Sequence, residues 1–330
     1  VDAEGFRRDV VATAASLRAL AALHDAGQLV DPELVALLTG RDLVFAGMGS
    51  SFFAAETCAR RMRRAGIRAW AELASVEGTL PPDPDRVLVG ITASGRSSET
   101  LALLAHHRGV GRTVALTNST DDETLAALPA DRTVGLHAGP EEGGVACRSY
   151  VHTLAVLLAW EHALVGSLPR FSDQLRAAAD ATDQLVASSV DWLPVVGDII
   201  GGPDGTWLLA PAERLASAWQ GALMLREGPR RAADGCETGD WNHVDVYLTK
   251  TLDYRALVFA GSRFDTAAET WMRERGSRFV AVGAGHDDTV LGGAEYVLRH
   301  LHDHDPVVRL LTEITVADLV AADWWSGTAR

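Results

Sequence analysis

Val44-Phe45-Ala46-Gly47-Met48-Gly49-Ser50-Ser51 is the stretch on which the reading of this chain turns. A short apolar run of strand length meets a turn with two glycines, then two hydroxyls, then a segment from Phe52 to Arg64 with helical spacing. Such a strand-to-helix junction points backbone N–H groups and the positive helix end at an anion, and the serines add donors, so a phosphate fits there. The glycine pair alone reads equally as a tight turn. It is not a dinucleotide fingerprint, because Phe52 stands where the third glycine would be.

Working outward, Leu43–Ala46, Val87–Ile91, Thr113–Leu116 and Thr133–Leu136 are short apolar runs separated by segments long enough for helices. Trp207–Ala210, Ala256–Ala260, Phe279–Val282 and Tyr296–Leu298 repeat the pattern, which predicts an α/β protein with parallel sheets in two halves. Val10, Ala14, Leu17 and Leu20 predict an amphipathic helix, and Asp31, Pro32 and Gly40 bracket a short one. Residues 167–196 read as one connecting helix, and Val307–Trp325, after the Asp305-Pro306 cap, as one long buried helix. A strand is also expected over Val244–Leu248.

The 330 residues are 47% hydrophobic and 22% charged, enough for a sizeable core and too many for one core, since single cores stop growing at roughly 250 to 300 residues. A formal charge of −14 argues against a nucleic-acid partner. No apolar run is long enough for a membrane span or laid out as a signal peptide. Cys58, Cys147 and Cys236 are far apart with no CxxC pair, so no disulfide framework or zinc site is expected, and a cytoplasmic location is the default. His300, His302 and His304, with Asp303 and Asp305, read as a solvated turn; no metal and no cofactor are expected.

A second junction follows Val87–Ile91. Thr92-Ala93-Ser94-Gly95-Arg96-Ser97-Ser98-Glu99-Thr100 has five hydroxyl residues within nine positions at a helix start. Loops at the carboxyl ends of neighbouring strands converge on one crevice, so this loop and the Ser50-Ser51 loop can share one anion. N-capping accounts for some of these hydroxyls. Arg96 either adds a charge-assisted contact or is a surface arginine.

These motifs, with Ala74-Ser75, Thr117-Asn118 and Ala138-Gly139-Pro140-Glu141, resemble in order and spacing the sugar isomerase (SIS) family. More closely, the chain is similar to the isomerase part of glucosamine-6-phosphate synthase and its stand-alone relatives, over roughly residues 40 to 325. The resemblance implies two SIS domains, each a flavodoxin-like five-stranded parallel sheet flanked by helices in three layers. The corresponding boundaries are N-terminal helices over 1–40, a first domain over 41–165, a connecting helix over 166–196 and a second domain over 197–330.

In the second half, Gln220-Gly221-Ala222-Leu223-Met224-Leu225-Arg226-Glu227 looks like the family segment that ends in its catalytic glutamate, and the interval to His243 matches the family's ring-opening histidine. On residue type alone the two are a solvated helix-face carboxylate and a loop histidine. Proton transfer between C1 and C2 of a sugar needs a carboxylate near C2 and a separate group for the ring-oxygen proton, a task that suits histidine. The resemblance therefore implies Glu227 and His243 as catalytic residues, with Ser51, Thr92, Ser94, Ser97 and Thr100 holding the phosphate. Gly49, Ser50, Arg96, Gly144 and Val145 are further substrate-contact candidates, whereas roles for Glu141 and Glu142 stay open.

The chain also departs from the family pattern. Ala93, Arg96, Gly144, Gln220 and Met224 stand where synthase-like members have glutamine, glutamate, valine, glutamate and lysine. The tail lysine has no counterpart, since Lys250, the single lysine, matches no catalytic position. An imine between a lysine and the ketose is therefore not expected, and neither is glutamine-dependent synthesis. The leading expectation is isomerisation with deamination of an amino-sugar 6-phosphate by a homodimer with shared active sites. The alternatives are a dehydratase of an N-acetylhexosamine 6-phosphate using the same base, and a non-catalytic sugar-phosphate sensor.

Overall fold

The computed structural model describes residues 2–77, 80–286 and 291–327. Along the chain the elements are α1 (Ala3–Asp25), α2 (Pro32–Leu38), β1 (Asp42–Gly47), α3 (Ser50–Arg64), β2 (Ala69–Leu73), β3 (Arg86–Ile91), α4 (Ser98–His107), β4 (Arg112–Thr117), α5 (Asp122–Ala127), β5 (Arg132–Gly135) and α6 (Arg148–Val165). They continue as α7 (Phe171–Ala187), α8 (Ser189–Ile200), β6 (Thr206–Ala210), α9 (Leu215–Glu227), β7 (Ala233–Glu237), α10 (Thr238–Trp241), β8 (Arg255–Phe259), α11 (Asp265–Glu274), β9 (Arg278–Val282), β10 (Tyr296–Leu298), α12 (Pro306–Thr312) and α13 (Ile314–Trp325).

The chain divides into two compact units. One is made of residues 16–140 and 148–175, the other of residues 1–15, 141–147 and 176–330. The first contains a five-stranded parallel sheet in the order β2-β1-β3-β4-β5, with Val44, Ala46, Leu88, Leu104 and Ala115 in its core. The second contains a five-stranded parallel sheet in the order β10-β9-β8-β6-β7, around Leu209, Trp241, Tyr254, Val258 and Phe279. Renumbered within its half, each sheet has the same 2-1-3-4-5 order, so each has a topological switch point, between β1 and β3 and between β6 and β8. Among the described residues no helix is long and apolar enough to cross a membrane.

The apolar runs predicted as strands are β1, β3, β4, β5, β6, β8, β9 and β10, to within a residue or so. Four expectations differ from the structure. Val244–Leu248 is not a strand: residues 245–250 form a 3-10 helix, in which Thr249 Oγ1 donates to the Val246 carbonyl and Arg275 reaches both groups. The connecting segment is two helices, α7 and α8, with Ser188 at the break; its hydroxyl turns back onto the Gln184 carbonyl. The final helix likewise breaks between α12 and α13 at Glu313, whose carboxylate is bonded to Arg214. The His300–Asp305 turn is less solvated than its composition suggests. His302 and His304 are exposed, but His300 and Asp303 are buried, and Asp303 pairs with Arg299.

Candidate functional site

In the first-sheet unit β1 and β3 lie side by side, Ala46 opposite Gly90, so the loops that follow them emerge together at the carboxyl edge of the sheet. Gly47 has no room for a side chain: a Cβ there would lie 2.7 Å from Ser51 Cβ and 3.2 Å from the Ile91 carbonyl oxygen. That close approach seats the start of α3 directly over the strand pair. Gly49 turns the chain at φ 50° and caps α3 without a side chain. The helix therefore begins with the half-buried Ser50 and Ser51, whose hydroxyls have no partner among the described residues.

The second loop supplies the other wall. Ser94 is exposed and its Oγ accepts from the Arg96 amide, while Gly95 takes φ 71° to make the turn. Thr92 and Thr100 are buried; Thr92 Oγ1 accepts from the Ser97 amide at 3.4 Å and Thr100 Oγ1 donates to Ser97 Oγ at 3.2 Å, so both threonines position Ser97. Ser97 caps α4. Its hydroxyl and that of Ser98 both donate to Glu99, at 3.0 and 3.1 Å, and these bonds, with one from the backbone, hold the Glu99 carboxyl below its usual range. A carboxylate thus sits on the helix start where a phosphate is expected, a feature to which the sequence reading gave no role. The Arg96 guanidinium is exposed, donating to Thr124 Oγ1 at 3.2 Å with Asp121 at 3.8 Å.

The second-sheet unit holds the remaining candidates. Helix α9 is wedged close to β6 and α13, since a Cβ on Gly221 would meet Leu208 Cδ2 at 2.5 Å and Ala317 Cβ at 3.0 Å. Glu227 ends α9, exposed at its rim, yet burial by its surroundings still raises the carboxyl pKa, with Arg226 opposing. Beside it, Gly228 lies against the Trp325 ring, which packs on Phe6 with centroids 6.0 Å apart, and Phe6 in turn abuts Gly143. Glu227 and the loop of residues 141–147 are thereby joined by a short chain of contacts.

That loop is closely held. Glu141 Oε1 accepts from the Cys147 amide at 2.8 Å, Asp9 accepts from the Gly143 amide at 2.7 Å, and Glu142 pairs with Arg8. The buried Gln220 of α9 donates to the Ala146 carbonyl at 2.8 Å. Gly144 is exposed, Val145 buried. Beneath it, fully buried Asp318 is pushed well above the carboxylate range by desolvation and by Glu141. Gln220 stood out in the sequence as a departure from the SIS pattern, but Asp318 did not; a polar residue in an otherwise apolar helical stretch was the available signal.

His243 lies elsewhere. It is exposed on the turn leaving α10, which starts from the carboxyl end of β7 and touches Phe264 in the loop after β8. Glu227 sits at the opposite, amino edge of the same sheet, where β7 begins. The 13 residues of α9 separate the edges by about 20 Å. The structure therefore groups the serine loops with one another and Glu227 with the 141–147 loop, and it sets His243 apart from Glu227.

No protein-family model matches the chain. It is 28% identical over 229 residues, 66% of its length, to the glutamine-fructose-6-phosphate aminotransferase (isomerizing) of Pyrococcus horikoshii, and spans only 38% of that relative. Among solved structures, the C-terminal domain of glucosamine-fructose-6-phosphate aminotransferase from Francisella tularensis superposes with TM-score 0.76 at 17% identity, over 98% of this chain and 95% of that one. Glucosamine-6-phosphate deaminase from Thermotoga maritima superposes with TM-score 0.69 at 16% identity, over 98% and 95%. The fold is that of the SIS-type phosphosugar isomerases.

Proposed function

We propose that the chain is a phosphosugar-processing enzyme of double-SIS architecture, with the domain limits drawn from the sequence, acting on an amino-sugar 6-phosphate. The observation that carries this reading is the pair of hydroxyl-rich loops that leave neighbouring strands at the β1/β3 switch point, each running into a helix start; in this reading Ser51, Ser94 and Ser97 form an anion cradle there. The fold shared with the C-terminal domain of glucosamine-fructose-6-phosphate aminotransferase and with glucosamine-6-phosphate deaminase supports it.

In this reading Glu227 takes the proton from C2 of the open-chain amino sugar and returns it to C1, leaving an imine at C2; water adds there and ammonia leaves. Its raised pKa suits a group that must both accept and release a proton near neutrality. His243 moves the ring-oxygen proton during ring opening. Because Glu227 and His243 occupy opposite edges of one sheet, the histidine is supplied by a second copy, giving a homodimer with shared active sites. The protein is accordingly cytoplasmic and takes neither nucleic acid nor membrane as partner.

Proton NMR in D2O with glucosamine, galactosamine, N-acetylglucosamine and fructose 6-phosphates tests the reading. Deuterium is expected at C1 of the ketose phosphate, carried there by exchange of the Glu227 proton with solvent, with ammonia released from an amino-sugar phosphate, for the unmodified protein and not for Glu227→Gln. An unsaturated sugar in place of ammonia would instead establish the dehydratase, and phosphosugar binding without any exchange would establish a sensor.

A further inference from the structure

The second sheet has its own switch point, between β6 and β8, and it is furnished quite differently from the first. Arg214 follows β6, buried, with Nε on both oxygens of Glu313 at 3.0 Å and Nη2 on the carbonyls of Phe259 and Ala260. Gly261 follows β8. A Cβ there would lie 2.6 Å from Arg309 Nη1 and 3.3 Å from Arg214 Nη1, so two guanidinium ends converge on this glycine. Arg309 is itself anchored through Nε to the Asp303 carbonyl.

Among the described residues, two acceptors face the same region without partners. Asp265, at the start of α11 and 4% exposed, uses Oδ2 to accept from the Gly261 amide at 2.6 Å, while its buried Oδ1 has no hydrogen bond. His300, 6% exposed, has Nδ1 3.0 Å from the Leu301 carbonyl. A carbonyl only accepts, so Nδ1 carries the proton and Nε2 of the neutral ring is an acceptor. That buried Nε2 also has no partner, and it lies 4.0 Å from the Cβ position of Gly283, just past the end of β9. Arg214 acts electrostatically on both Asp265 and His300, which places them around one centre.

Buried acceptors are seldom left unpaired. The two guanidiniums, Arg214 and Arg309, are matched by two carboxylates, Glu313, on which both arginines act, and Asp265, on which Arg214 acts, so the crevice has no surplus positive charge for a phosphate. It offers acceptors and guanidinium donors together, which is what a hydroxyl, donor and acceptor at once, satisfies.

We propose that the β6/β8 crevice is a second ligand site, taking a small polyol, a sugar or its derivative, whose hydroxyls donate to Asp265 Oδ1 and His300 Nε2 and accept from Arg214. Burial pushes the Asp265 carboxyl up to about 6, in keeping with a group waiting for a donor. The site is independent of the reading of the serine loops.

The test is ligand-detected NMR titration with glucose and with glucose 6-phosphate, on a chain whose phosphate loops are disabled by Ser51→Ala and Ser94→Ala. Glucose is expected to bind. Asp265→Asn keeps the shape but presents a donor in place of the orphan acceptor, and His300→Phe removes the second acceptor; each is expected to weaken binding roughly tenfold or more. Equal binding of the two probes means that the phosphate stays outside, whereas binding of glucose 6-phosphate alone would mean that a phosphate is what the guanidiniums take and would overturn the assignment to hydroxyls. No binding by either probe, or binding unchanged in both variants, overturns the proposal. Failure of C2 exchange in the earlier experiment leaves it untouched.

Discussion

Glu99 shows how one side chain sets the state of a ligand loop. Its carboxylate takes the hydroxyls of Ser97 and Ser98, so an incoming phosphate must displace or tolerate a like charge at the helix start. Glu99→Gln is expected to tighten sugar-phosphate binding, read by calorimetric titration, and unchanged or weaker binding would refute this. His152 offers a second test at this scale. Wholly buried, it lies 2.8 Å from the Leu136 carbonyl and 2.9 Å from Ser16 Oγ, and burial lowers its pKa to about 4. The unfolded chain binds this proton from about pH 6.5 downward while the folded chain refuses it until about 4. Stability from this group is therefore complete above pH 6.5 and declines as the pH falls toward 4, by at most about 3 kcal/mol. Urea unfolding of the unmodified protein and of His152→Gln should show that part of the slope vanish in the variant.

At the scale of elements, Gly221 decides how closely α9 approaches β6 and α13, and through α9 where Glu227 stands. Gly221→Ala forces Leu208 and Ala317 apart and is expected to cost about 1 to 3 kcal/mol, measured by thermal or denaturant unfolding. A variant as stable as the parent would show that the helix has slack. Strands whose residues are buried along their length announced themselves as apolar runs. Two of the four edge strands did not: β2 reads Ala-Trp-Ala-Glu-Leu and β7 Ala-Asp-Gly-Cys-Glu, both partly exposed, because an edge position demands little apolar surface. The breaks at Ser188 and Glu313 were invisible for another reason. Each depends on where a side chain finds its partner, and Arg214 is 99 residues from Glu313 in sequence. The serine loops were legible because their chemistry is local to one junction each, whereas the Arg214–Asp265–His300 crevice is assembled from four separated segments.

For the whole molecule, the opposite placement of Glu227 and His243 makes a prediction that neither residue makes alone. Glu227→Gln and His243→Ala should each be inactive, and mixing the two with subunit exchange should restore roughly a quarter of the parental activity, since half the dimers then own one intact site. No recovery after verified exchange would refute shared sites. The chain also passes from one compact unit to the other at residues 15/16, 140/141, 147/148 and 175/176, so neither unit is a continuous stretch of sequence. Phe6 is fully buried, and its aromatic neighbour is Trp325. On the ribosome, then, Phe6 emerges long before the Trp325 ring it packs against. The second-sheet unit closes only when synthesis of this region is nearly finished, and until then the leading helix needs a chaperone or transient contacts to keep its apolar face from aggregating.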